Sequence, residues 1–189
     1  MFLMHHGVLG QKWGVRRYQN PDGTRTAEGK RRRMYADRVR KASKTNDAVN
    51  SIVETMPLRE KQLLMGGYAT KDQKYINSVE EGSNIAKRVL IKDKDTPVSF
   101  FDIWDDGDHL NVALGTRNEE SYRHKGYAKK AASRGMKWYE SNKDKYGSIP
   151  IIWGVHETNK GSIAIAKKLG FKYEKGSKNK DGWLNYVKT

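Results

Sequence analysis

Arg123-His124-Lys125-Gly126-Tyr127-Ala128-Lys129-Lys130 lies between a strand-like run at 109–115 and a helix-periodic run at 126–142. The first turn of a helix leaves its backbone N–H groups unpaired and carries the positive end of the helix dipole, so a strand-to-helix junction of this kind attracts anions. Gly126 and Ala128 allow phosphate oxygens close to that backbone, and Arg123, Lys125, Lys129 and Lys130 add positive charge. Together they suit a diphosphate. Taken alone, the same eight residues also describe an ordinary basic helix start.

Outward from this junction the pattern alternates regularly. Residues 86–91 and 98–104 read as strands, and Asp105-Asp106-Gly107-Asp108 as the hairpin turn that sends 109–115 back antiparallel. That turn is acidic, but it lacks the remaining ligand spacing of a calcium loop. After a loop at 116–122 and the helix at 126–142 come a strand at 149–155 and a helix at 159–169 with Gly170 as its C-cap. Runs at 172–174 and 183–187 close the chain as a hairpin. Upstream, Val49, Ile52, Val53, Met56, Leu58, Leu63, Leu64 and Met65 recur at helical spacing. Pro57 suits a first turn, and Gly66-Gly67 a stop. Helices, a meander and a strand–helix–strand crossover predict an α+β fold with a mixed, mostly antiparallel sheet flanked by helices.

At 189 residues and 36% apolar content, the chain can bury one core and carry an appendage. The appendage is expected at 1–45, where 12 Lys/Arg face 3 Asp/Glu, and the domain at 46–189. Residues 26–44 read as a basic helix with Thr26 as N-cap and too narrow an apolar stripe to join the core. Such an arm suits a phosphate-rich partner or a solvated surface. Adjacent His5-His6 lack metal-ligand spacing. The chain has no cysteine and no membrane-length apolar run, so thiolate chemistry and a membrane span are not expected. A bacterial cytoplasmic location follows as the expectation, with virion association as its alternative.

Asn159-Lys160-Gly161-Ser162-Ile163-Ala164-Ile165-Ala166-Lys167-Lys168-Leu169-Gly170-Phe171 resembles the second signature of the GNAT superfamily of N-acetyltransferases, as Arg123-x-x-Gly126-x-Ala128 resembles the first. The two stand in family order with one strand between them, and the resemblance spans about 50–189. It implies acetyl-CoA as cofactor and an amine of a protein or small molecule as acceptor. It also implies two parallel strands, 109–115 and 149–155, that splay apart, with Gly115 at a bulge. Backbone groups of Val112, Ala113 and Leu114 would meet the pantetheine arm. Arg123, His124, Lys125, Gly126, Tyr127, Ala128 and Lys129 would hold the diphosphate, and Asn159 would contact the arm from the other side.

Many members of that family carry a tyrosine acid seven residues after the Asn, where this chain has Ala166. The Asn-x-x-Ser variant resembles the branch containing ribosomal-protein alanine acetyltransferases, which makes Ser162 the candidate for the thiolate partner. For the base, Asp108, His109, Glu119, Glu120 and His156 are all available. His109 suits neutral pH and matches where some members carry theirs. A separate segment, His5 to Asn20 with Asp22-Gly23-Thr24, is similar to a leader recurring in tailed-phage and prophage proteins. Together with the missing tyrosine, it implies the alternative of a phage structural or nucleic-acid-binding protein with an idle GNAT-like domain.

Overall fold

The computed structural model describes residues 18–69, 84–146 and 149–189. His5-His6 and most of the leader-like segment lie outside them. The chain divides into two compact units, 1–38 and 39–189. In the first, Asp22 Oδ1 accepts the Thr24 N–H at 2.9 Å and hydroxyl at 2.7 Å, closing a turn bridged by Gln19 and Arg25. Thr26 Oγ1 then accepts the Gly29 N–H at 3.1 Å, the expected N-cap.

Helix α1 runs unbroken over Ala27–Glu54. The boundary expected at 45 therefore falls inside a helix, because nothing there breaks it. Thr45 satisfies its hydroxyl on the carbonyls of Lys41 and Ala42 instead. Ala42, Asn46 and Val53 are buried, so the helix gains a core-facing stripe only in its C-terminal half. Helix α2 covers Leu58–Ala69 and passes through Gly66 and Gly67, which do not stop it.

Among the described residues the sheet has six strands, in the order β1-β2-β3-β4-β6-β5. Strands β1 (Ile85–Asp93), β2 (Thr96–Asp105) and β3 (Leu110–Thr116) form the expected antiparallel meander. A 3-10 turn (Glu120–Tyr122), α3 (Tyr127–Glu140) and the single-turn α4 (Lys143–Tyr146) lead to β4 (Ile151–His156), parallel to β3. Helix α5 (Lys160–Lys168), β5 (Lys172–Tyr173) and β6 (Trp183–Lys188) complete the unit. This is the mixed, mostly antiparallel α+β sheet the sequence predicts.

One face of the sheet packs under α3 and α5 through Phe101, Ile103, Trp153, Val155, Met136 and Phe171. The other meets α2 through Phe100, Leu64 and Met65. Edge strand β1 is sealed by a side chain. Buried Asn46 donates to the Ile85 carbonyl at 2.9 Å and accepts the Arg88 N–H at 3.1 Å, across an irregularity in the β1–β2 register.

Gly135 shows why α3 tolerates a poor helix former at its centre. The Phe101 ring occupies the space a Cβ would need. On an exposed helix Gly→Ala gains about 1 kcal/mol. Here the sign should reverse, Gly135→Ala costing about 1–3 kcal/mol through overpacking, read from urea unfolding midpoints.

Candidate active site

Strands β3 and β4 pair only at Leu110–Ile151 and Asn111–Ile152, then part. Beyond Asn111, the β3 edge that faces β4 carries no ladder, so the backbone of Val112 and Leu114 has groups to offer a ligand lying in the gap, whereas that of Ala113, expected to share the task, is turned to Asp102 of β2 by the alternation that sets Leu110 toward β4 and Arg117 toward Val98. The expected bulge at Gly115 is not what opens it. The β2–β3 register runs unbroken from Ser99–Thr116 to Asp105–Leu110. Gly115 is required instead by the Phe100 ring, which lies where its Cβ would be.

The gap widens into a cavity of about 770 Å³ between the end of β3 and the N-termini of α3 and α5, within the range of cofactor sites. Its walls bring together Leu114, Arg123, His124, Gly126, Tyr127, Ala128, Lys129, Asn159 and Ser162. Val112 and Ala113 turn their side chains into the packed layers on either face. Lys125 stands outside the walls, 4.0 Å from Asp93.

The anion site is built by the loop's own conformation. His124 and Gly126 both adopt left-handed backbone, at φ 58° and 77°. Left-handed residues in such a turn bring neighbouring N–H groups toward one side, which is how backbone anion nests are built. Gly126 is the N-cap of α3, and among the described residues no side chain caps that terminus. The first helical bond runs from Lys130 N–H to the Gly126 carbonyl at 2.9 Å, which leaves the N–H groups of Tyr127, Ala128 and Lys129 without helical acceptors. A Cβ at Gly126 would meet nothing within 4 Å, so the approach to these donors is open. Tyr127 anchors the turn by donating its hydroxyl to Asp93 Oδ2 at 2.6 Å, a bond that pushes the phenol above its ordinary pKa.

Helix α5 is capped differently. Asn159 Oδ1 accepts the Ser162 N–H at 3.0 Å, so this part of the amide serves the helix while the residue still lines the cleft. The Ser162 hydroxyl, half-buried, has no hydrogen-bond partner among the described residues. Ala166, one turn further, is fully buried. That position belongs to the core, and no acid faces the cleft from it.

The candidate bases lie elsewhere. His109 precedes β3 at the end opposite the loop, about 17 Å of strand from Leu114. It is 2.6 Å from Asp108 Oδ1 and 3.0 Å from Asn111 Nδ2. The bond from His109 holds the Asp108 carboxyl below its ordinary value. Glu119 pairs with Arg117 and Glu120 with Arg123. His156 is bonded to Thr158 Oγ1 and the Asp181 carbonyl at 2.8 and 2.9 Å. Arg117 is a cleft residue that no motif singles out, as are Thr116, Asn118, Tyr122 and Thr158. Gly161 and Ile165 could have been placed here by helical spacing from Asn159 and Ser162.

A model of the acetyltransferase (GNAT) domain matches residues 6–172. Among solved structures, the ribosomal-protein-S18-alanine N-acetyltransferase of Escherichia coli aligns at TM-score 0.51 and 13% identity, over 70% of this chain and 85% of that one. PH1933 of Pyrococcus horikoshii OT3 aligns at 0.55 and 18%, over 69% and 88%. The PaiA N-acetyltransferase of Thermoplasma acidophilum, in complex with coenzyme A, aligns at 0.50 and 15%, over 70% and 92%. At these identities the likeness is one of fold. Comparison with curated proteins by sequence gives no match. No helix among the described residues is long and apolar enough to cross a membrane.

Proposed function

The chain belongs to the GNAT acetyltransferase domain family, and from that membership we propose that it transfers acetyl from acetyl-CoA to an amine of a protein or small molecule. The observation that carries the proposal is the parting of β3 from β4 beside an uncapped helix N-terminus. The two features form one slot, with an anion site at its mouth and unpaired backbone along its wall. Acetyl-CoA, the donor this family uses, supplies an activated acetyl thioester, and the residues present fit it.

The N–H groups of Tyr127, Ala128 and Lys129 would hold the diphosphate, with Arg123, Lys125 and Lys129 adding charge and His124 a ring N–H at the mouth. Val112 and Leu114 would orient the arm through main-chain bonds and polarise the reacting carbonyl. Asn159 would close the slot from α5. Ser162 Oγ, one turn before Ala166, offers a proton toward the sulfur side. Holding amine and acyl carbon together supplies much of the rate without covalent catalysis.

His109, paired to Asp108 at 2.6 Å, is the proposed base. It lies outside the cofactor cleft and would take the acceptor's proton through water. His109→Gln should lower kcat by about 10²-fold or more, the usual worth of a general base, with CoA affinity unchanged. Equal turnover in the variant would remove His109 from the mechanism. Incubating the protein with acetyl-CoA and candidate amines while following thiol release tests the activity itself. Release that depends on the amine is expected; none with any amine, in a protein that also fails to bind CoA, contradicts the enzyme reading.

The basic arm favours a second contact. Arg31 and Arg33 of α1 are 79% and 63% exposed, and the arm's charge excess suits nucleic acid. Salt-sensitive binding to duplex DNA that weakens in Arg31→Gln/Arg33→Gln would support it, and unchanged binding would not.

A further inference from the structure

Arg117 is the most deeply buried cation of the cleft, with 5% of its side chain exposed. It follows β3 directly, and its backbone N–H still donates to the Val98 carbonyl at 3.0 Å, so its Cα is fixed by the sheet. The guanidinium spreads over three partners. Nε donates to the Pro97 carbonyl at 3.1 Å, Nη1 to Glu119 Oε2 at 3.2 Å, and Nη2 to Glu60 Oε2 of α2. The Tyr122 ring centroid lies 5.5 Å from its Cζ.

Two of those contacts, Glu119 and Tyr122, lie in the segment that shapes the anion site, and the other two, Pro97 and Glu60, lie on β2 and α2. The Glu119 carbonyl accepts the N–H groups of Tyr122 and Arg123, closing the 3-10 turn. Arg123 Nε donates to the Asn118 carbonyl at 2.7 Å, which aims its guanidinium at the cleft. His124 and Gly126, the two left-handed residues, follow at once. A loop in sparsely populated backbone holds its shape only when its surroundings over-determine it. Arg117 supplies that constraint from the sheet side, and Glu60 extends it to α2, whose Met65 forms part of the same cleft wall.

We propose that Arg117 is the positioning residue of the diphosphate loop: it ties the 118–126 segment to the sheet and to α2, and so presets the anion site before any ligand arrives. This rests on the acetyl-CoA reading for its consequence, but not for its structural content. The rigid planar fork is what the task needs, since one lysine ammonium cannot reach a carbonyl and two carboxylates on different elements in the same geometry.

The test uses the full-length chain with Arg117→Lys, Arg117→Met and Glu60→Gln, the last leaving the buried cation in place. In the ligand-free proteins, amide exchange at Tyr122 and Arg123 should quicken in both Arg117 variants, while β4–β6 ladder amides keep the wild-type rate. CoA titrated by calorimetry should bind about tenfold more weakly to Arg117→Lys, roughly one charge-assisted hydrogen bond. KM for acetyl-CoA should rise with kcat nearly unchanged, and Glu60→Gln should show a smaller shift in the same direction. A residue that served stability alone would speed exchange everywhere and leave the affinity of the folded fraction intact. Wild-type exchange rates at Tyr122 and Arg123 in Arg117→Lys would overturn the proposal. A wild-type protein that binds no CoA, with the loop still loosened selectively by Arg117→Lys, would support the tether and overturn the cofactor reading instead.

Discussion

Asp102→Ala is expected to destabilise the domain by about 3–5 kcal/mol, the cost of stranding a buried guanidinium. Asp102 and Arg88 are 0% and 2% exposed and meet through two bonds, Nε to Oδ1 at 3.0 Å and Nη2 to Oδ2 at 2.8 Å. Arg88 Nη1 also reaches Asn50 Oδ1 of α1 at 3.3 Å, and its N–H is taken by Asn46. Burial pushes the Asp102 carboxyl above its ordinary value, against the pull of Arg88. The ion pair therefore fastens α1 to the β1–β2 edge of the sheet rather than adding much net stability. Replacing both partners, as in Arg88→Met/Asp102→Leu, should recover most of the loss, because no lone charge is left in the core. Urea unfolding of the three proteins measures this; a single variant no less stable than the double would refute it.

The second large effect concerns the anion site. Gly126→Asp should weaken CoA binding by about two orders of magnitude, since like charges a few ångströms apart in a partly desolvated cleft repel by a few kcal/mol. Asp and Asn tolerate left-handed backbone better than other side chains, and open space surrounds the missing Cβ, so the fold should persist. Gly126→Asn separates charge from bulk: it has the same size and backbone tolerance, and should lose only about tenfold. Calorimetric titration of both variants, with thermal midpoints as a control for folding, decides the matter. Equal affinities for Asp and Asn would place the diphosphate away from α3.

The two motifs carried most of what the sequence could say about the cleft. Gly126, Ala128, Asn159 and Ser162 are recognisable because backbone geometry at a helix start restricts which residues fit, and those restrictions are local. The meander is readable for the same reason, through short runs rich in β-branched and aromatic residues and the Asp105 to Asp108 turn. Long-range requirements were not. Gly115 and Gly135 are glycines because of Phe100 and Phe101 one strand or one layer away, and Gly115 accordingly looked like a bulge. The pair Gly66-Gly67 looked like a stop but lies within α2, and the basic and globular parts of α1 looked like two helices because composition changes where the backbone does not. Arg117 was invisible because its partners come from residues 60, 97 and 119. His109 was visible as a titratable residue, but its distance from the cleft follows only from which end of β3 the loop leaves.

Amide exchange with and without CoA tests the central claim most directly, by asking whether the parted strands and the α3 N-terminus hold the ligand together. Protection should appear at Val112 and Leu114 and at Tyr127 to Lys129 when CoA is added, with β1, β2 and the β2-facing Ala113 unchanged. Binding that protects neither segment, or no binding at all, would contradict the account.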